Sequence, residues 1–380
     1  MNNDLYQQSV QIILQNQSST GAYIACPNFP SYRFCWLRDG SFIAHAMDRA
    51  GRYDSARDFH YWVKRVVEKY AFKVTDLEKC LSHGGGIDSS VFLHTRYTLE
   101  GEEVAQDLPW GNFQIDGYGT WIWSLLEHAR LSGDTKILHD TAEAINIVVR
   151  YLCLIWNSPN YDCWEEHPEY LHSYTLGAVY AGLSAFLQMT EAGLIGENEE
   201  KVRQTAENVR AFLLQNGTHQ GLLVKHIRPH TEFNGPAPVV SSGVDASLIS
   251  LAVPYKTFAL DDPIYSATVK AIERDLRHPG GGIYRFKADT YYGGGEWLLL
   301  TAWLGWYHVQ CGQLSAAKDL LTWIEQQADG NSNLPEQVSR HVLAADYYDP
   351  WLRKWGPIAS PLLWSHAMYI ILAKAIQEAK

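Results

Sequence analysis

Two glutamates that lie far apart in the chain, Glu165 and Glu336, each stand in a short polar segment that precedes a helical pattern. A pair of carboxyl groups can divide acid and base work, one giving a proton to a leaving oxygen and the other activating water. Trp164, directly before Glu165, would lower the local polarity and raise the pKa of that carboxyl. From the residues alone, the alternative that both are solvated loop carboxylates stays open.

Other segments rich in Trp, Arg, Asp and Glu share one feature, which is that each precedes a helix with little charge. They cover residues 32–39, 110–116, 162–167, 241–245, 284–295, 333–337 and 350–357. Arg38 and Asp39 could bind a ligand, cap a helix as an ion pair, or do both, and Arg285 is similarly ambiguous. Trp36 and Trp355 could line a pocket or plug one end of the fold.

The elements that must position these residues are helices, because a helical period dominates the hydrophobic pattern. Twelve helices are predicted near 3–16, 39–51, 53–72, 116–132, 135–156, 173–193, 197–215, 245–254, 262–277, 296–311, 314–328 and 363–378. The sixth and tenth carry almost no charge on any face, whereas the third, seventh and eleventh are amphipathic. This alternation predicts an all-α fold, an (α/α)6 barrel of six inner and six outer helices.

In such a barrel the segments before the inner helices lie on one rim, so their side chains should converge on one funnel. Strand signals are sparse, and we expect small hairpins only around 221–227 and 282–286. No linker or composition shift marks a boundary, so residues 1–380 are expected to form a single domain.

The composition limits the classes of molecule that the chain is expected to bind. The net charge of −11 argues against nucleic acid or an anionic membrane, and no apolar run approaches the roughly 18 residues of a membrane span. The first residues lack a signal-peptide pattern and the six cysteines lack framework spacing, so we expect a cytoplasmic location. The 14 Trp and 22 Tyr fit either an aromatic-rich core or a site where rings stack on sugars.

At these residues the chain resembles glycoside hydrolase family 15, the glucoamylase family. The similar motifs are Trp36-Leu37-Arg38-Asp39, Trp110-Gly111, Asp162-Cys163-Trp164-Glu165-Glu166, Tyr284-Arg285 with Asp289 and Tyr291-Tyr292-Gly293, Pro335-Glu336-Gln337, and Trp364-Ser365-His366-Ala367. They occur in the family's order and span residues 32–367. Each motif is weak alone, but the ordered set is specific.

The resemblance implies an inverting, exo-acting α-glucoside hydrolase in which Glu165 is the general acid and Glu336 the general base. Arg38 and Asp39 would grip the terminal glucose, and Glu166 would help to hold the leaving sugar. The implied substrate-binding residues are Tyr32, Trp36, Arg38, Asp39, Trp110, Trp164, Glu166, Arg285, Gln337 and Trp355. The expected product is β-D-glucose from the non-reducing end of short α-glucosides, with the linkage left open among maltose-type, isomaltose-type and trehalose.

The chain also departs from the family's usual pattern, and other functions stay open. The chain has no room for the β-sandwich or starch-binding module of other members, which favours small soluble oligosaccharides as substrate. The alternatives are a trehalase-type hydrolase, a catalytically silent sugar-binding barrel and, less well supported because Glu336 supplies a second carboxylate, a phosphorylase. No cofactor or metal is expected, because Asp162, Cys163 and His172 belong to no CxxC or HExxH pattern. The sequence does not indicate an oligomeric state.

Overall fold

The computed structural model describes residues 2–104, 111–195, 199–229, 239–240 and 243–379. Within these ranges, the α-helices are α1 Asn3–Gln15, α2 Leu37–Arg49, α3 Tyr53–Lys69, α4 Ala71–Ser82, α5 Asp116–Ser132, α6 Lys136–Asp140, α7 Ala142–Ile155, α8 Ser173–Glu191, α9 Glu199–Asn216, α10 Pro263–Leu276, α11 Leu298–Gln310, α12 Leu314–Glu325, α13 Tyr348–Trp355 and α14 Leu363–Glu378. A 3-10 helix at Ala246–Leu251 stands between α9 and α10.

The inner layer is a closed ring of helices. In order around the ring, α2 packs on α5, α5 on α8, α8 on the 3-10 helix, the 3-10 helix on α11, α11 on α14, and α14 again on α2. The outer layer consists of α1, α3, α7, α9, α10 and α12, each of which packs on an inner helix. The predicted all-α (α/α)6 barrel is confirmed.

The charge pattern of the helices explains which layer each one joins. Every residue of α11 from Leu298 to Val309 is buried, as expected for a helix without a polar face. At the centre of the barrel, Phe42 of α2 packs against Trp303 and Trp364, with ring centroids 5.1 and 5.6 Å apart. The continuous core that results includes side chains from Leu5 to Ile376.

Some predicted helices differ from the observed ones. The predicted helix 53–72 breaks at Tyr70 and continues as α4, and the predicted helix 135–156 is divided at Thr141. The eighth predicted helix, 245–254, is instead the 3-10 helix Ala246–Leu251, because Pro254 has no backbone N–H and disfavours helical geometry at the preceding residue. Helix α13 is absent from the twelve predicted helices, and its Pro350 lies in the first turn, where proline is tolerated.

Short antiparallel strands, each of two residues, join the loops before the inner helices to one another. The pairs are β1 Cys35–Trp36 with β2 Arg96–Tyr97, β3 Leu171–His172 with β6 His226–Ile227, β6 with β7 Val239–Val240, β4 Thr218–His219 with β5 Leu222–Leu223, and β8 Glu296–Trp297 with β9 Gln337–Val338. The predicted hairpin at 221–227 is therefore divided between two sheets. The predicted hairpin at 282–286 is wrong, since Ile283 forms only single bridges, to Arg277 and Trp297.

Candidate active site

The loops at the N-terminal ends of the inner helices enclose a cavity of about 280 Å³. Ten of the predicted site residues line it, namely Tyr32, Trp36, Arg38, Asp39, Trp164, Glu165, Glu166, Arg285, Glu336 and Trp355. The predicted convergence of these segments on one funnel is therefore observed. Gln337 lies behind the wall, where it accepts a hydrogen bond from the Gly295 amide and donates one to the Tyr291 carbonyl. Trp110 lies outside the described residues.

Glu165 is oriented by an indole. Nε1 of Trp36, in strand β1, donates a 2.5 Å hydrogen bond to Oε1 of Glu165. The Glu165 backbone has a positive φ of 66°, an uncommon conformation for a residue with a side chain and one that is frequent at active sites. Burial raises the pKa of Glu165, and the positive charges of Arg96 and Arg38 oppose this shift.

The loop that carries Glu165 is wrapped around the side chain of Asp162. Oδ1 of Asp162 accepts hydrogen bonds of 2.9 Å from the Trp164 amide and 2.8 Å from the Glu166 amide. The Asp162 carbonyl accepts a third, of 2.9 Å, from the Glu165 amide. Three consecutive residues of the turn are thereby tied to Asp162, so the position of the Glu165 carboxyl depends on it.

Lys225 supplies the positive charge beneath this loop. Its ammonium lies 3.2 Å from Asp162 and 3.5 Å from both Glu166 and Asp245. Opposite charge therefore outweighs desolvation at Asp162 and lowers its pKa to about 2. Asp245 also accepts a 2.9 Å hydrogen bond from Nε1 of Trp164, which fixes that ring in the cavity wall.

Glu336 faces the cavity from the opposite part of the chain and is only 4% exposed. The Tyr32 hydroxyl donates a 3.2 Å hydrogen bond to its Oε1 and lies 3.0 Å from the Tyr291 hydroxyl. Burial raises the pKa of Glu336 to about 8, although the Arg285 guanidinium opposes the shift. Both glutamates therefore hold protons more tightly than carboxyls in water.

Arg38 and Asp39 form the buried end of the cavity. Nη1 of Arg38 donates hydrogen bonds to Gln114 at 2.8 Å and to Asp116 at 3.1 Å, while Nε lies 3.4 Å from the Asp39 carboxylate. Since both residues also line the cavity, the ion pair and the ligand-facing position coexist. Burial raises the pKa of Asp39 to about 6.

Arg285 likewise combines the two roles that the sequence left open. Its guanidinium donates to both oxygens of Asp289, at 2.7 and 2.5 Å, and lies 3.6 Å from Glu166. Its central carbon lies 5.0 Å from the centroid of the Trp297 ring. A buried arginine with its charge balanced on one side can thus present its remaining edge to a ligand.

The mouth of the cavity is partly formed by helix α13, from which Trp351, Lys354 and Trp355 reach the lining. Both indoles are half-buried and Lys354 is exposed, whereas Arg38 and Asp39 are buried, so the cavity runs from an aromatic rim to a charged end.

Several lining residues were missing from the predicted set, among them Tyr161, Cys163 and Trp297. Trp297 was assigned to the core of a helix, although it lies in β8. Lys225 was also missed as part of the site, although a lone lysine within the apolar run 222–227 is a signal of a buried charge partner.

The side chains of Asp162, His172 and His226 form a group beside the cavity that has the composition of a metal site. Nδ1 of His172 lies 2.9 Å from Nδ1 of His226, so these two nitrogens already share a hydrogen bond. The Lys225 ammonium balances the Asp162 carboxylate from 3.2 Å. The charge of this group is thus balanced by the protein, although Oδ2 of Asp162 accepts no hydrogen bond within the described residues.

Comparison with known proteins gives concordant results. The model of glycosyl hydrolases family 15 matches residues 1–350. The isomaltose glucohydrolase of Kribbella flavida is 39% identical over 371 residues, which cover 97% of this chain and 92% of that protein. A trehalase of Thermoplasma volcanium is 22% identical over 81% of this chain and 47% of its own.

Solved structures agree with these matches. A glycosidase variant in complex with glucose, in which a glutamate is replaced by alanine, superimposes with a TM-score of 0.91 at 38% identity, covering 98% of this chain and 96% of its own. A bacterial glucoamylase complexed with acarbose has a TM-score of 0.74 at 22% identity, over 100% of this chain and 56% of its own, and shares the fold.

Proposed function

The chain belongs to glycosyl hydrolase family 15, and we propose that it is an inverting, exo-acting α-glucoside hydrolase that releases β-D-glucose from short α-glucosides. The observation that carries the proposal is that Glu165 and Glu336 face the same cavity and are held by different donors, Trp36 and Tyr32. Two carboxyls in distinct environments can divide the acid and base roles that glycoside hydrolysis requires.

Glu165 would act as the general acid. Its raised pKa favours the protonated form that gives a proton to the glycosidic oxygen. The neighbouring Glu166, which is half-buried and balanced by Arg285 and Lys225, would bind the leaving sugar.

Glu336 would act as the general base toward water. Oε1 is held by the Tyr32 hydroxyl, whereas Oε2 has no hydrogen-bond partner within the described part of the chain. A water molecule bound to Oε2 would lose its proton to this carboxylate as it attacks the anomeric carbon. The pKa of about 8 makes Glu336 a stronger base than an ordinary carboxylate, close to the value that proton transfer near neutral pH favours.

The size and depth of the cavity support exo-cleavage of small substrates. About 280 Å³ is just below the roughly 300–1,000 Å³ typical of small-molecule pockets. The buried Arg38 and Asp39 would bind hydroxyls of one terminal glucose at the closed end. The next sugar would then lie at the rim, beside Trp351 and Trp355.

Isomaltose is the substrate that we expect to be cleaved best. The support is the relative named isomaltose glucohydrolase, which is 39% identical and matches nearly end to end. The trehalases are 21–25% identical, and the chain spans about half their length. Trehalose hydrolysis is therefore the second candidate, while the presence of both glutamates argues against a silent sugar-binding barrel.

The decisive experiment is proton NMR of the sugar first released from isomaltose, maltose, trehalose and longer glucosides. We expect β-glucose to appear before mutarotation, and fastest from isomaltose. Initial α-glucose would overturn the inverting mechanism, preference for trehalose would favour the second candidate, and no release from any substrate would favour the binding barrel.

The two glutamates can be distinguished with an activated substrate. Glu165→Gln should reduce hydrolysis of isomaltose by roughly 10²–10⁴-fold, but much less for α-glucosyl fluoride, because fluoride leaves without a proton. Glu336→Gln should impair both substrates, since water still needs a base. Equal losses on both substrates for Glu165→Gln would contradict the acid role.

A further inference from the structure

Within the part of the chain that the structure describes, three groups of histidine and carboxylate side chains are each compact enough to hold an ion. The first is the group of Asp162, His172 and His226, whose charge is balanced by Lys225. The second contains His278 and His341, whose rings are stacked 3.8 Å apart at an interplanar angle of 7°. Nitrogen lone pairs lie in the ring planes, so those of parallel stacked rings do not converge on one ion.

The third group consists of Asp48, His60 and His128, which come from helices α2, α3 and α5. One ligand atom from each lies within 4.8 Å of the others, and all three side chains are at most 2% exposed. The two imidazole rings are tilted by 50° with centroids 5.2 Å apart. Unlike stacked rings, tilted rings can direct nitrogen lone pairs toward a common point.

The polar atoms of this group are poorly satisfied by the protein. Nδ1 of His128 lies 2.7 Å from Oδ1 of Asp48. By contrast, Oδ2 of Asp48, Nε2 of His128 and both ring nitrogens of His60 have no hydrogen-bond partner among the described residues. A buried polar group without a hydrogen-bond partner destabilises the folded chain, so four in one place indicate a ligand.

The charges of this group also differ from those of the first. Within the described ranges, the ion pair that Asp48 makes is with His128, and no lysine or arginine lies within 4 Å of its carboxylate. The position that Lys225 fills beside Asp162 therefore has no counterpart beside Asp48. A cation would balance this buried carboxylate.

We propose that Asp48, His60 and His128 bind a divalent transition-metal ion, with Zn²⁺ as the best match. Two neutral imidazoles and one carboxylate are a common ligand set for Zn²⁺, and water can complete a tetrahedral shell. His60 follows Asp48 by 12 residues and His128 follows His60 by 68, so no local motif marks the site. The barrel alone brings them together.

The position of the site indicates a structural role. Asp39, at the catalytic end of α2, precedes Asp48 by nine residues, or about 14 Å along a helix with 1.5 Å rise per residue. His128 likewise lies twelve residues beyond Asp116 on α5. An ion here would tie two inner helices to the outer helix α3 at the end of the barrel away from the cavity.

The test is metal binding by the untagged full chain after removal of metal with a chelator. We expect one Zn²⁺ per chain by titration calorimetry, a higher Tm in the presence of Zn²⁺, and tetrahedral d–d absorption bands with Co²⁺. Asp48→Asn and His60→Gln keep the side-chain size and should each weaken Zn²⁺ binding at least tenfold. His341→Gln, at the partly exposed second group, is the matched control and should bind as the parent does.

Three results would overturn the proposal: no binding by the parent chain, binding retained in the Asp48→Asn/His60→Gln double variant, or binding lost in His341→Gln. Circular dichroism of each metal-free variant ensures that a lost signal is not caused by unfolding. Hydrolysis of isomaltose by the chelated protein at low temperature should be unchanged, because the ion lies away from the reacting atoms.

Discussion

The indole Nε1 of Trp36 donates a 2.5 Å hydrogen bond to Oε1 of Glu165. Four residues earlier, the Tyr32 hydroxyl donates to Glu336, and the rings of Tyr32 and Trp36 pack edge to face with centroids 5.7 Å apart. One short segment, 32–36, therefore orients both carboxyls. A disturbance there should affect the acid and base together, whereas a disturbance of either ring's hydrogen bond should affect only one.

Trp36→Phe tests the acid side of this arrangement. Hydrogen bonds to charged groups contribute about 1.5–3 kcal/mol, so we expect kcat on isomaltose to fall roughly 10–100-fold. The hydrogen bond from Trp36 favours the ionised carboxyl, so its loss should raise the pKa of Glu165 and move the limb of the kcat/KM profile that this carboxyl sets to higher pH. Trp323→Phe, on outer helix α12, is the control. A pH profile with both limbs unmoved would contradict the link.

Burial of the Glu336 carboxyl should lower the stability of the folded protein. Its pKa is about 8 in the folded chain against 4.5 ordinarily, so the folded state binds more protons between these values and stability falls as pH rises through them. Glu336→Gln removes this cost. The Tm of ligand-free Glu336→Gln should therefore exceed that of the parent by an amount that grows from pH 5 to pH 8. The exposed Glu200→Gln serves as the reference, and a difference independent of pH would refute the assignment.

The barrel was predictable because its alternating helices differ so clearly in charge. Helix α11 has no polar face and could only be inner, whereas α3 and α9 carry one solvent face. The 3-10 helix and the break at Tyr70 depend instead on packing between distant segments, which a helical period does not reveal. Helix α13 is only eight residues long and lies within a segment that was assigned to the loop before the last helix.

The segments that carry the candidate site were predictable, but the residues that hold those segments in place were not. Glu165 and Glu336 could be singled out because they belong to an ordered set of motifs. The partnership of Lys225 with Asp162 joins residues 63 positions apart through strands of only two residues, and such strands leave almost no alternation in the sequence. Gln337 adjoins a predicted catalytic residue, yet strand alternation turns its side chain away from the cavity.

The rim should control binding of the second sugar more than the chemical step. Trp355 is half-buried at the mouth, remote from the charged end that would hold the terminal glucose. Trp355→Ala should raise KM for isomaltose several-fold with a smaller change in kcat, because a stacking surface is lost without loss of acid or base. Trp355→Phe keeps an aromatic face and should restore most of the affinity. A fall in kcat alone would instead indicate a role in the reaction itself.

Lys225 should hold the acid loop through Asp162. Lys225→Met leaves buried Asp162 without its cation, and breaking a buried ion pair costs about 3–5 kcal/mol, so we expect a marked fall in Tm. The double variant Lys225→Met/Asp162→Asn removes both charges and should recover part of that loss, although kcat should stay low, because the neutral amide oxygen is a weaker acceptor for the loop amides. The pH dependence of unfolding gives an independent measurement of the same ion pair.

The pKa of Asp162 is about 2 when folded and 3.8 ordinarily, so the unfolded chain binds more protons between these values. The stability from this carboxylate is complete above pH 3.8 and is lost as pH falls toward 2. Acid unfolding of the parent should therefore include a contribution that Asp162→Asn lacks. If Lys225→Met unfolds in acid with the same profile as the parent, its ammonium does not set the charge of Asp162, and the acid loop is held by its backbone hydrogen bonds alone.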